Sequence, residues 1–369
     1  MMVLRITKII YFLFMGFLPA LPITLLAVPR LAVQNGVSCI TCHLNPTGGG
    51  LRNEYGSSVV SLDELPLLSP SKQPAFTGAL SDHLRVGMDF RMQSYVHSEV
   101  KDQWEIVLFP MQLELYGHWL VTNGLQAYAA VDAIRSNSEV WVSVEVKKLN
   151  GYFRAGKMIP HFGLALDDHT TFVRGGNIKL KNGLNAEGMI FTPLRSLVNT
   201  VETGINLGNF FITGSISDGY VFSESKKRTL AGRVEYSGMF REITMLAGGS
   251  VIEEGNFLLL GLFSGFARGS FAWMGEVNIA DNWVGDGSSI ASFNELSYGL
   301  FPGLTVTARY DFFDENIKYL QNAISRITAG IEFFPIPYVE IRSQVRVTQV
   351  SFEKSSKSPE FITQVHLWF

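Results

Sequence analysis

From Ser81 to its last residue the chain alternates apolar and polar positions with a period of two, the mark of strands that show one face to an apolar medium and the other to something polar. In Leu84–Met92, the residues Leu84, Val86, Met88, Phe90 and Met92 share a face, opposed by Arg85, Gly87, Asp89 and Arg91. Val140, Val142, Val144 and Val146 alternate with Trp141, Ser143 and Glu145, and Leu304, Val306, Ala308, Tyr310 and Phe312 with Thr305, Thr307, Arg309 and Asp311. Val339, Ile341, Val345 and Val347 oppose Arg342, Gln344 and Arg346. Turn signals separate such runs, among them Asn123-Gly124, Asn150-Gly151, Asn182-Gly183, Asp218-Gly219 and Pro302-Gly303. Soluble sandwiches and propellers alternate too, so the environment of the apolar face needs further signals.

The N-terminus supplies one. Arg5 and Lys8 form a basic flank, and no charge follows between Ile9 and Arg30, while Pro19, Pro22 and Pro29 interrupt the apolar stretch. Residues 1–28 are therefore expected to be a secretory signal peptide, cut near Ala27, in preference to a membrane anchor. Beyond Arg30 the longest apolar run, Phe257–Phe263, is too short for a membrane helix. The last strand supplies another signal: Phe361, Thr363, Val365, Leu367 and Phe369 share one face and Ile362, Gln364, His366 and Trp368 the other. It resembles the C-terminal strand of bacterial outer-membrane barrels, whose assembly machinery recognises a terminal aromatic. The expected fold is all-β, a transmembrane antiparallel β-barrel over residues 81–369. At roughly 18 residues per strand with its turn, that gives about 16 strands, with 14 or 18 as the flanking even counts. Its lumen would carry both signs of charge. The segment Pro160–Gly176 lacks the alternation and is expected as a loop, either folded inward to constrict the pore or lying outside.

Composition agrees and excludes alternatives. Charged residues make up 17% of the 369, below the roughly 25% of ordinary soluble domains, and 35 glycines suit many tight turns. A net charge of -3 gives no basic footprint for nucleic acid, and two cysteines exclude a disulfide scaffold.

Residues 29–80 carry the chemistry. Cys39-Ile40-Thr41-Cys42-His43 is the C-x-x-C-H haem c attachment pattern, and it uses both cysteines of the chain. Each thiol adds to one vinyl group of haem, and the adjacent histidine becomes the proximal iron ligand. Other readings remain: a disulfide between the two exported cysteines, a zinc site short of a fourth ligand, or a thioredoxin-like pair lacking its βαβ frame. Pro46 and Gly48-Gly49-Gly50 let the backbone lie flat against a planar ligand. Arg52 is a candidate partner for a haem propionate, or else a solvated loop charge. Between Val28 and Asp82, His43 is the sole histidine and there is no methionine. A distal ligand must then be a weaker group, Tyr55 or Lys72, or come from the barrel. There His161 and His169 stand first, in the loop that could fold inward, followed by Met158, His83 and His366, with His97 and His118 behind. Taken singly, each of these histidines reads more readily as a solvated loop or lumen residue than as a ligand.

Signal peptide, short C-x-x-C-H segment and barrel ending in Phe369 together resemble the fused monohaem cytochrome-porin family of the outer membrane, found in bacteria that oxidise extracellular ferrous iron. The likeness extends to Val28-Pro29-Arg30-Leu31-Ala32 and is specific at Cys39, Cys42 and His43. Across the barrel it is loose, and AGKMIPHFGLALDDHTTF resembles phosphate-selective and related porins more. The resemblance implies one covalent haem c, a periplasmic electron carrier and an extracellular redox donor or acceptor such as iron as partners, and outer-membrane lipid around the wall. It implies electron transfer, with bond chemistry left to the partners. The alternative is a diffusion porin for small solutes or anions in which residues 29–80 form a periplasmic plug; a haem-dependent sensor or peroxidase is a third.

Overall fold

The computed structural model describes residues 29–369 apart from residues 47, 70–75, 101–102, 135–136, 165–167, 169, 177, 180–184, 187–196, 220, 222–226, 284, 320–322 and 352–358. The expected signal peptide, Lys72, His169 and the Asn182-Gly183 turn lie outside the described residues.

The described residues form sixteen antiparallel strands closed into one barrel, and a two-residue ribbon pairing Ile178–Lys179 with Asn185–Ala186. The strands are β1 Leu84–Val100, β2 Gln103–Thr122, β3 Leu125–Asp132, β4 Asn137–Val146, β5 Gly151–Met158, β6 Val198–Leu207, β7 Phe210–Ser217 and β8 Thr229–Phe240. They continue with β9 Ile243–Glu254, β10 Phe257–Arg268, β11 Phe271–Asp281, β12 Ser288–Phe301, β13 Leu304–Asp314, β14 Ala323–Phe333, β15 Val339–Val350 and β16 Pro359–Trp368. Each pairs with its sequence neighbours, and β16 closes on β1 with Asp89 opposite Trp368 and Val96 opposite Phe361. Closure leaves the sheet without an edge, which is what allows strands to stand in lipid. Tight turns such as 123–124, 208–209, 241–242, 269–270 and 302–303 gather at the end where β1 starts and β16 finishes. The opposite end carries the longest connection, 159–197. Short turns at the end that holds both barrel termini are the periplasmic pattern of outer-membrane barrels.

The alternation sorts the faces as the pattern requires. Leu262 is 72% exposed, Ile106 73% and Ile327 66%, whereas Arg154, Asp311 and Arg326 are 0% exposed. Apolar side chains thus cover the outer wall and charged ones are buried inside, the inverse of a soluble protein.

Two stretches of the chain occupy that interior. The first is the N-terminal segment: helix α1 (Pro29–Asn35), a 3-10 turn at Cys39–Thr41 and a π-helical stretch at Gly56–Glu64. A seven-residue helix is not stable alone; tertiary packing holds this one. Val33 is fully buried against Gly265 of β10, where a Cβ would come within 2.6 Å of the valine methyl. Arg30 pairs with Glu332 of β14 and stands 3.9 Å from Glu295 of β12. Asn45 donates to Glu139 of β4 at 3.0 Å and accepts from Arg154 of β5 at 2.8 Å. Trp368 Nε1 donates to Ser61 Oγ at 3.0 Å, and Leu67 N to Phe334 O at 2.8 Å. Leu51 packs with Tyr116, Tyr128, Trp141 and Met158.

The second is formed by the described residues of 159–176, which enter the lumen. Arg174 forms a two-pronged pair with Glu276 of β11 at 2.8 and 2.9 Å, Asp168 accepts from Arg309 of β13 at 2.6 Å, and Phe172 and Val173 are fully buried.

Candidate functional site

The Cys39–His43 motif folds as a tight turn leading into a small antiparallel pairing. Cys42 N and His43 N both donate to Cys39 O at 3.2 Å; His43 then faces Arg52 in a bridge, flanked by Leu44 N to Leu51 O and Asn53 N to Cys42 O, each 3.0 Å. Gly48, Gly49 and Gly50 close this pairing with φ of 78°, 71° and 63°, a left-handed run that only glycine adopts freely. A Cβ on Gly49 would meet nothing within 4 Å, so the bend borders open space, while one on Gly50 would strike the Tyr128 hydroxyl at 2.6 Å. Asn53 ties the motif to the π-helical stretch, donating to Thr41 O at 2.8 Å and accepting from Gly56 N at 3.0 Å.

The open space is a cavity, open in part to solvent, bordered by Cys39, Cys42, His43 and Gly48–Gly50 on one side and by Asp168 of the inward loop on another. One part of the wall is polar. His366 of β16 stands between two carboxylates, Nε2 2.9 Å from Asp89 Oδ1 and Nδ1 3.1 Å from Glu340 Oε2, with its ring 4.8 Å from that of Trp368. Arg52 lies 4.9 Å over the Trp368 ring and 3.5 Å from Asp89, which also accepts from the Tyr116 hydroxyl at 2.8 Å. Arg342 pairs with Glu340 at 2.9 Å and Glu332 at 3.3 Å, and Arg309 with Asp311 at 2.9 Å. Both cysteines are free thiols. Burial, reinforced by Glu235, pushes the Cys39 thiol up to about 12, and burial with Glu64 pushes Cys42 up to about 11.

The structure therefore brings Cys39, Cys42, His43, Arg52 and His366 to one cavity. Arg52 is an ion-pair partner of Asp89 there. His161 lies elsewhere, buried in the inward loop with its ring 5.8 Å from Phe211; burial, then Arg233 and Arg154, hold it well below the usual histidine range. Met158 is fully buried in the Leu51 cluster. His83 Nδ1 donates to Leu120 O at 3.1 Å, His118 Nε2 lies 2.8 Å from Gln126, His97 stacks on Tyr95 at 4.6 Å, and Tyr55 is exposed. Among the described residues no group of three or more His, Cys, Asp and Glu is placed to hold a bare metal ion. Sequence reasoning passed over Arg30, Asp168 and Met274, all of which border the cavity. Met274 was within reach: in Phe271–Asp281 it falls on the lumen side of the alternation.

No family model matches the chain, and no curated protein is similar to it in sequence. Solved structures are similar in fold. OmpT of Vibrio cholerae aligns with a TM-score of 0.54 at 11% identity, covering 79% of this chain and 99% of its own. An anion-selective porin from Comamonas acidovorans gives 0.52 at 13%, covering 78% and 99%. OprB of Pseudomonas putida gives 0.58 at 7%, covering 78% and 94%. The fold is thus that of a sixteen-strand outer-membrane porin. At such identities the likeness speaks to fold alone, and nothing in it bears on Cys39–His43.

Proposed function

We propose that this protein is an outer-membrane haem c protein that conducts electrons between the periplasm and an extracellular donor or acceptor through its porin-like barrel. The observation that carries the reading is the C-x-x-C-H motif bordering a cavity inside the barrel, with His366, Arg52, Arg309 and Arg342 on the same cavity. The residues present fit the group: two thiols at the attachment spacing, an adjacent histidine, a glycine bend with open space before it, and the guanidiniums of Arg52, Arg309 and Arg342 on the same cavity to face propionates.

When bound, haem supplies one-electron chemistry between ferric and ferrous iron. Everything else is the work of the chain. Cys39 and Cys42 would fix the group through thioether bonds, His43 would ligate its iron, and Arg52 and Arg342 would lie near its carboxylates. Met274, Phe293, Phe334 and Trp368 give part of the cavity an apolar lining, which would favour the less charged state of the iron. The outer membrane insulates with an apolar band about 25 Å tall, and a redox centre inside the lumen shortens the electron's longest step. A periplasmic carrier would meet the short-turn end, and an extracellular partner such as iron the long-loop end.

A second reading is a diffusion pore for small solutes or anions, plugged by residues 29–80. The fold likeness to OprB, to an anion-selective porin and to the channel DcaP of Acinetobacter baumannii favours it over electron transfer. A haem-stained denaturing gel and a reduced-minus-oxidised spectrum of outer-membrane fractions separate the two. Covalent haem on this chain supports the first reading; haem-free protein with steady single-channel conductance supports the second.

A further inference from the structure

Resting on the haem reading above, we infer that the barrel supplies the sixth ligand of the haem iron, through Nε2 of His366 on β16. The N-terminal segment has no second histidine and no methionine for that position, and Tyr55, the weaker candidate among its described residues, is exposed and does not border the cavity. Among the described residues on the cavity, the remaining groups that ordinarily ligate haem iron are the imidazole of His366 and the thioether of Met274.

Three observations favour His366. First, His43 and Arg52 face each other in an antiparallel bridge, and side chains of directly opposed residues stand on the same face of such a pair. The Arg52 guanidinium ends at Asp89 and over Trp368, the same two groups that adjoin His366. The face of the pairing that bears His43 is thereby turned toward the surroundings of His366. Second, Glu340 lies 3.1 Å from His366 Nδ1 and is itself held by Arg342. A metal-bound histidine characteristically donates its other ring N–H to a carboxylate, which fixes the tautomer and the ring plane, and Glu340 is that partner already in place. Third, Asp89 can release Nε2 without being stranded, because Arg52 and the Tyr116 hydroxyl remain to it. On ligation the Nε2 proton leaves to water, the nitrogen lone pair goes to the iron, and the Nδ1 proton stays on the bond to Glu340. Met274 has no such orienting partner; it packs among the apolar residues of the lumen, Phe293 included.

The test uses the full-length protein purified with its haem. In the ferric state, electron paramagnetic resonance and the near-infrared charge-transfer band distinguish bis-imidazole from imidazole–thioether ligation with no variant needed. The expected result is a low-spin bis-imidazole spectrum. His366→Gly should convert it to high-spin, and added imidazole should restore the low-spin signal, which a merely structural loss would not allow. Met274→Leu should leave the spectrum unchanged, and Glu340→Gln should remain low-spin with a raised midpoint potential, because the ligand becomes less basic. A high-spin wild type, an imidazole–thioether spectrum, or loss of the low-spin state in Met274→Leu overturns the inference while the haem reading stands. Absence of covalent haem from the denatured chain removes both.

Discussion

Arg174 is the clearest place to perturb the lumen. Its guanidinium makes two bonds to Glu276 at 2.8 and 2.9 Å and donates to Leu164 O at 2.7 Å and Val173 O at 2.8 Å, with the two side chains 5% and 0% exposed. Arg174→Met leaves the Glu276 carboxylate buried without its counter-charge, although Leu164 N and the Asn278 amide still donate to it. Breaking a buried pair from one side costs about 3–5 kcal/mol. At tenfold per 1.4 kcal/mol, the population of undocked loop should rise by about two to three and a half orders of magnitude. Chymotrypsin reads this directly, since Phe162, Leu164 and Phe172 are buried cleavage sites within the loop, and proteolysis tracks the open population when reclosing is fast. Initial cleavage between Ile159 and Gly176 in detergent should accelerate by a like factor. Arg174→Met combined with Glu276→Gln should recover most of the protection, because a neutral amide still accepts from Leu164 N and no charge is left buried. Unchanged cleavage in the single variant would refute the idea that this pair holds the loop in the lumen.

Cys39→Ala with Cys42→Ala should abolish covalent haem on a stained gel while the barrel stays heat-modifiable, because the strands pair independently of the motif; stain retained on the double variant would contradict the attachment role. His161 is buried with its pKa held below the ordinary histidine value by burial and by Arg233 and Arg154, so loop docking should be at full strength above that ordinary value of about 6.5 and weaken as pH falls below it, by at most about tenfold per unit. Loop cleavage normalised to a reference peptide should therefore rise from pH 7 to pH 5, and His161→Gln should flatten that slope; a flat wild-type profile would count against it. Deleting Phe369, whose ring meets Phe76 at 5.3 Å and whose carbonyl accepts from Met88 N, should leave the protein degraded or misassembled, and normal amounts in the outer membrane would oppose this.

The wall was legible because its physics is local: each lumen residue sits two positions from the next, so Asp89, Arg91, Arg309 and Arg346 could be assigned inward from the pattern alone, and they are buried. Strand number followed from chain length and the reach of a strand across lipid. The motif was legible because its five residues are contiguous. Its location was legible only as a choice between the periplasmic side and the lumen, since the contacts that hold it are single polar pairs between distant stretches, Arg30 with Glu332 and Asn45 with Glu139, which leave no periodic trace. His366 could be put on the polar face of β16, but its carboxylates come from β1 and β15, and only the strand register brings Asp89 and Glu340 to it. His161 ranked ahead of it because an inward loop looked like the shortest route to the motif; the loop does enter the lumen, yet it turns His161 toward Phe211 and brings Asp168 to the cavity instead.

The central claim is that haem is bound covalently within this barrel, and haem staining of the full-length chain after denaturing electrophoresis of outer-membrane fractions tests it most directly. The account predicts peroxidase-active stain that migrates with the polypeptide and disappears in the Cys39→Ala, Cys42→Ala variant. A well-assembled, heat-modifiable barrel that carries no stain would contradict it.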